Sequence, residues 1–257
     1  MMKIIPLSAF SDNYIWVIHS SDSNTVAVVD PGDATPVIDY LEQHNLSLET
    51  ILITHHHNDH IGGVQTLKNR YQCRVFAPKR DNQSFSDQDL VEGDEVSILN
   101  DEYQFSVIEV PGHTMGHIAF YGHGCLFCGD TLFKAGCGRM FEGTPPVFLE
   151  SLQKLAALPA ETKVYCAHEY TLTNLKFALS VEPDNPAIHK EIEYSQRLRE
   201  KNKPTLPSTI GEELSFNPFL RCDQDALQQT ASQASETKTF SDPVRTFATI
   251  RQLKDNF

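Results

Sequence analysis

Up to residue 168 the apolar positions of this chain fall in short runs, several alternating with polar positions; beyond it they recur every three or four residues. The first pattern predicts strands and the second helices, because side chains repeat every two residues on extended backbone and every 3.6 on a helix. Strands are expected at residues 2–5, 14–19, 25–29, 50–53, 74–77, 95–99, 103–110, 117–121, 124–128 and 163–166. Asp30-Pro31-Gly32-Asp33 makes a turn, since proline presets one backbone angle and glycine relaxes the next. The amphipathic stretch 35–44 predicts a helix, and so does 61–71, with Asn58 or Asp59 as its N-cap. Thr144-Pro145 opens another helix running to Ala157. After His168 strand-like runs stop, and helices are expected at 171–181, 186–201, 223–234 and 243–255. The last is capped by Asp242 and opened by Pro243. The chain therefore reads as an α/β domain over 1–168 and a smaller all-helical domain over 169–257.

Composition narrows the class. At 257 residues, 40% apolar and 21% charged, the chain is long enough for one large or two modest domains with cores of their own. No apolar stretch approaches the length that spans a bilayer, so no membrane partner is expected. The start, Met1-Met2-Lys3-Ile4-Ile5-Pro6, lacks the long apolar core and small-residue cleavage site of a signal peptide, which makes a cytoplasmic location the expectation. Six cysteines (Cys73, Cys125, Cys128, Cys137, Cys166 and Cys222) are too few for a disulfide framework and are expected as free thiols. Cys125 and Cys128 have the spacing of a zinc knuckle, but they lie in a strand-like run where residues three apart face opposite ways. No second pair exists to complete a four-thiolate site, so buried structural thiols are the better reading. A net charge of −13 excludes nucleic acid as a substrate, because phosphate binding needs clustered Lys and Arg. It also means that an anionic small substrate must be drawn by local cations.

The chemistry-bearing residues gather where predicted strands end. His55-His56-His57-Asn58-Asp59-His60 follows the apolar run 50–54 and offers several metal ligands in six positions. His55 and His57 are two apart, so extended backbone points their imidazoles to one side, while Asp59 and His60 turn towards a second position. That spacing suggests two metals. Three later segments repeat the arrangement: His113 follows the run 103–110 in a Pro-Gly turn, Asp130 follows the run 124–128, and His168 follows the run 163–166. No G-x-S-x-G elbow occurs, so a serine nucleophile is not indicated.

The H-x-H-x-D-H cluster, the later His, Asp and His, and the Asp30-Pro31-Gly32 turn resemble the metallo-β-lactamase superfamily. Ala135-Gly-Cys-Gly-Arg-Met-Phe-Glu-Gly143, His168-Glu-Tyr-Thr171 and Ile250-Arg-Gln-Leu-Lys-Asp-Asn-Phe257 resemble, more narrowly, its hydroxyacylglutathione hydrolase (glyoxalase II) family. The resemblance implies an αββα sandwich carrying the metals, with the smaller C-terminal helical domain binding substrate. It implies His55, His57 and His113 on one divalent ion, and Asp59, His60 and His168 on the other, with Asp130 bridging. Asp59 and Asp130 then also serve catalysis. Zinc is the expected metal, with iron or manganese as alternatives, since imidazole and carboxylate suit all three. Asp30 resembles a residue that orients ligands through hydrogen bonds. His56 is not a ligand in this pattern, and His117 is expected to be packed and hydrogen-bonded.

The implied reaction is hydrolysis of an S-(2-hydroxyacyl)glutathione, notably S-D-lactoylglutathione, by a hydroxide held between the metals. The substrate is a small anionic thioester and the protein is expected to act as a monomer. Matching family positions place Arg139, Phe141, His168, Tyr170, Arg251 and Lys254 at the substrate. Arg251 and Lys254 are three apart, so a helix puts them on one face. Arg139 and Phe141 depart from the family's more frequent Lys and Tyr; Arg keeps the charge, whereas Phe loses a hydroxyl. A glutathione persulfide dioxygenase, or another hydrolase of the same fold, is the alternative.

Overall fold

The computed structural model describes residues 2–21, 23–235 and 242–257, and their contacts divide into two units. The first comprises Met1–Val110 with Thr114–Gly129, and the second Pro111–His113 with Asp130–Phe257.

In the first unit, β1 (Met2–Ala9) pairs antiparallel with β2 (Asn13–Ser20), Ala9 lying opposite Asn13, and β2 pairs antiparallel with β3 (Thr25–Val29). From β3 onward the neighbours β4 (Ser47–Leu52), β5 (Arg74–Pro78) and β6 (Gln88–Leu90) run parallel. Parallel strands need crossovers, and helices supply the first two. α1 (Ala34–His44) leads from β3 to β4, and α2 (Asn58–Ile61) with α3 (Val64–Tyr71) leads from β4 to β5. Val37, Leu41, Val64 and Leu67 of these helices pack on Ile15, Val17, Val28, Ile51 and Val75 of the sheet. Trp16 and Ile18, which alternate with Ile15 and Val17, are buried as well, so both faces of β2 are covered. A second, antiparallel meander runs β7 (Glu95–Ile98), β8 (Tyr103–Glu109), β9 (Ile118–Gly122) and β10 (Cys125–Gly129).

The turn after β3 and the loop after β4 emerge side by side at the carboxyl ends of parallel strands, where such sheets collect functional residues. Asp30 N–H donates to the Leu52 carbonyl at 3.0 Å, which ties the two together. The helix expected over 61–71 is broken into α2 and α3, because the Gly63 N–H turns to the Pro31 carbonyl at 2.9 Å. The N-cap position belongs to His57, not Asn58 or Asp59, and His57 makes no side-chain cap bond.

In the second unit, β11 (Leu132–Phe133) and β12 (Gly136–Cys137) form a short antiparallel ribbon. α4 (Pro145–Ala156) and β13 (Lys163–Cys166) follow, then α5 (Thr171–Val181) and α6 (Pro186–Arg199). β14 (Ser208–Thr209) pairs antiparallel with β13, and α7 (Ile210–Phe216), α8 (Asp225–Ala234) and α9 (Pro243–Asp255) complete the unit. Among the described residues, the expectation of no strand beyond residue 168 fails only at β14, whose two residues are too few to carry a period. α7 was not expected either, although Thr209 and Glu212 form a capping box that the sequence does spell out. Asp242 caps α9 as expected, accepting from Val244 N–H at 3.0 Å. All six cysteines are buried, and none is in a disulfide. No helix among the described residues is long and apolar enough to cross a membrane.

Candidate metal centre

In the first unit the site is built around Asp30. Its carboxylate accepts from Thr54 N–H at 2.8 Å, from the Thr54 hydroxyl at 2.6 Å and from His60 Nδ1 at 3.0 Å. Because the Thr54 hydroxyl gives its proton to Asp30, its lone pair receives His55 Nδ1–H at 3.1 Å. Asp30 thus sets the tautomer of two histidines, directly and through Thr54, and leaves both Nε2 atoms with a lone pair to offer. Asp30 holds this posture at a left-handed φ of 52°. Gly32 is required two residues on: a Cβ there would sit 1.8 Å from the Asp59 carbonyl oxygen.

The rings of His55, His57 and His60 converge. His57 and His60 lie 4.7 and 4.1 Å from His55 by ring centroid, and Asp59 Oδ2 stands 3.5 Å from His60 Nε2. Asn13, at the foot of the β1–β2 turn, donates to Asp59 Oδ2 at 3.0 Å. His56 points elsewhere and pairs with Asp81 at 3.2 Å. His117 is buried, stacks on His55 at 4.5 Å and donates through Nδ1 to the Ile118 carbonyl.

In the second unit, Asp130 lies between two histidines. Its Oδ2 is 3.5 Å from His113 Nε2 and its Oδ1 is 3.2 Å from His168 Nε2, with all three residues buried. His113 Nδ1 donates to the Arg139 carbonyl at 2.7 Å, so here too Nε2 keeps its lone pair. Gly138 permits this approach, since a Cβ there would lie 2.0 Å from the Asp130 carbonyl oxygen and 3.0 Å from His113 Nδ1. In each unit the donors suit divalent metal: imidazole nitrogens with Nδ1 committed to an acceptor, at His55 and His60 in the first and at His113 in the second, together with carboxylates and no thiolate that would quench Lewis acidity.

The expected substrate residues of this unit come from three segments, two of them loops and the third α9. Tyr170 stacks flat on His168, 4.7 Å away at 4°. Phe141 is 60% exposed and sets its ring edge to His113 at 5.3 Å, with the Arg139 guanidinium 6.0 Å from its centroid. Arg139 Nε is 3.4 Å from Asp255. Arg251 is only 5% exposed: Nη1 donates to the Cys137 and Gly138 carbonyls at 3.0 and 3.4 Å, and Nη2 to Asp255 at 3.1 Å. Lys254 holds its ammonium over the rings of Phe177 and Phe257, and burial with the Arg251 charge brings its pKa down to about 8. His19, His44, His123 and His189 each have a hydrogen-bond partner away from the cluster. Asn13 and Thr54 were not legible as site residues, since an asparagine or threonine in a turn or strand end carries no chemical signature.

Two family models match the chain. The metallo-β-lactamase superfamily matches residues 10–168, and the hydroxyacylglutathione hydrolase C-terminus matches residues 169–257. The chain is 49% identical to the hydroxyacylglutathione hydrolase of Photobacterium profundum and 50% identical to that of Aeromonas salmonicida, each over the whole of both chains. Among solved structures it is similar in fold to ETHE1 from Myxococcus xanthus, at 23% identity and a TM-score of 0.66, covering 99% of this chain and 98% of that one. It is similar also to the BLEG-1 B3 metallo-β-lactamase, at 25% identity and a TM-score of 0.63, covering 86% of this chain and all of that one.

Proposed function

We infer the chemistry of this chain from its kinship: it belongs to the hydroxyacylglutathione hydrolase family of the metallo-β-lactamase superfamily. It is a thioesterase that hydrolyses S-(2-hydroxyacyl)glutathione, notably S-D-lactoylglutathione, to glutathione and the free 2-hydroxy acid, and it uses divalent metal for this. The single observation that carries the reading is relationship at about half identity along the full length, with both family models represented.

Our further reading assigns the parts. His55, His57 and His113 would hold one ion and Asp59, His60 and His168 the other, with Asp130 shared between them. The two oxygens of Asp130, each facing a different histidine, support the bridge. Zinc is the metal we propose for both positions. When bound, the ions supply a water ionised near neutral pH and a Lewis acid for the thioester carbonyl. The chain's own residues do the rest. Asp30 and the Arg139 carbonyl keep Nδ1 protonated on His60 and His113, so that neither ring rotates out of register. Asp59, held by Asn13, orients the nucleophile. The leaving thiolate needs no strong acid, because a thiol ionises near pH ~8.5 in water.

Residues 1–168 form the catalytic domain and 169–257 the substrate-binding domain in this proposal. Arg139, Phe141, Tyr170, Arg251 and Lys254 contact the glutathione portion, with His168 at its thioester end. Charge supports the choice: at a net −13 the chain needs such local cations to hold an anionic substrate. Arg251 would do so while bracing the Cys137 and Gly138 carbonyls. We propose a cytoplasmic monomer.

Metal analysis of the purified chain, paired with an S-lactoylglutathione hydrolysis assay, tests the reading. About two zinc ions per chain with thioester turnover is the expected result. Oxygen uptake on glutathione persulfide with no thioester hydrolysis would decide for the dioxygenase alternative.

A further inference from the structure

The ribbon that follows Asp130 is gripped by side chains the reaction does not otherwise use. Between β11 and β12 the turn places Ala135 at a left-handed φ of 56°, a conformation unfavourable for a residue with a side chain. Four polar backbone groups of this turn are met by buried side chains from elsewhere in the chain. Ala135 N–H donates to Glu213 Oε2 at 2.9 Å. Asn217 Nδ2 donates to the Phe133 and Gly136 carbonyls at 3.1 and 2.9 Å, and to Glu213 Oε2 at 2.9 Å. Asn174 Nδ2 donates to the Lys134 carbonyl at 3.1 Å. Glu213 and Asn217 have no solvent exposure at all.

Both ends of the ribbon lead into the metal centre. Asp130 stands two residues before β11. After β12, Gly138 N–H returns to the Thr131 carbonyl at 3.3 Å, and the next carbonyl, that of Arg139, receives His113 Nδ1–H. A turn that swung by a fraction of an ångström would therefore carry a bridging carboxylate and a histidine orienter with it.

We propose that Glu213 is a positioning residue for the metal centre: by accepting the Ala135 N–H it fixes the ribbon turn, and through the ribbon the Asp130 carboxylate and the Arg139 carbonyl. What matters is acceptance at Oε2, not charge. Burial pushes the Glu213 carboxyl up to about 7, so it is part neutral at physiological pH, and Oε2 accepts in either form. A glutamine keeps an acceptor of the same reach; methionine keeps the volume without it; aspartate keeps the acceptor but falls a methylene short.

The proposal rests on Asp130 and His113 as metal ligands, which the wild-type chain tests on its own by its zinc binding. E213Q, E213M and E213D are compared with wild type, each first shown to be folded at the assay temperature by circular dichroism and thermal melting. Zinc affinity of each metal-free protein is then measured by competition with a chromophoric chelator, and kcat on S-lactoylglutathione after reloading. E213M and E213D are expected to bind zinc ~10–100-fold more weakly, the usual cost of losing an outer partner of a ligand, with kcat falling alongside. E213Q is expected to match wild type in both. Folded E213M or E213D with wild-type zinc affinity overturns the proposal, and so does E213Q impaired as deeply as E213M. Should E213M fail to fold, E213D and E213Q decide alone. A wild-type chain that binds no zinc overturns the metal centre and this inference together.

Discussion

Lys254 holds a cation half out of water, over two aromatic rings and near the Arg251 guanidinium, and these surroundings bring its pKa from 10.5 to about 8. Desolvation and a like charge both disfavour the protonated form. A lowered lysine pKa means the charge is present below pH 8 and lost above it. As the proposed contact for an anionic substrate, Lys254 should make KM for S-lactoylglutathione rise as pH climbs through about 8, with kcat less affected. K254R, whose guanidinium stays charged, should hold KM flat over the same range. Superimposable profiles for the two proteins would remove Lys254 from the substrate. At this scale the ligand types were legible, because only a few side chains carry lone pairs suited to a divalent ion. Their partners were not. Asn13 meets Asp59 across 46 residues and Glu213 meets Ala135 across 78, and neither residue type announces such a bond.

α9 illustrates how an element can be read and what it hides. Its start is written in Asp242-Pro243, and the Asp242 carboxylate does accept from Val244 N–H. Removing the cap in D242A should lower stability by ~1 kcal/mol, seen as a fall of a few degrees in Tm. KM should stay at the wild-type value, because Phe247, Ile250 and Arg251 remain buried and hold the helix body. A several-fold rise in KM would instead tie the cap to the substrate face. Amphipathic helices and alternating strands were placed to within a few residues, since their periods are local properties. The break between α2 and α3 was not, because it depends on Gly63 N–H finding the Pro31 carbonyl from a separate turn. Nor was β14, which exists only as a partner for β13.

For the molecule as a whole, the metal centre proposed above, with seven ligands drawn from separate segments, should couple metal binding to folding. A ligand that binds only the folded chain stabilises it by ~4 kcal/mol when its concentration is a thousand times its Kd. Treatment with a strong chelator should therefore lower Tm and abolish turnover together. Added zinc should restore both, with Tm climbing as free zinc rises. An unchanged melting curve after demonstrated metal loss would argue that the ligands are held in place by the protein alone.

By itself the sequence determined the class of the molecule and its candidate donors: mostly strands before residue 168 and mostly helices after it, histidines and aspartates at strand ends, and cations near the C-terminus. These are matters of period, composition and donor type, and each is written locally. Tertiary structure alone decided how the donors are held. It chose which ring nitrogen of His55, His60 and His113 is tied to an acceptor, turned Arg251 onto the Cys137 and Gly138 carbonyls, and set the buried Glu213 against the turn at Ala135. Hydrogen bonds of that kind join groups far apart in the chain, so their geometry exists only once the chain has closed on itself.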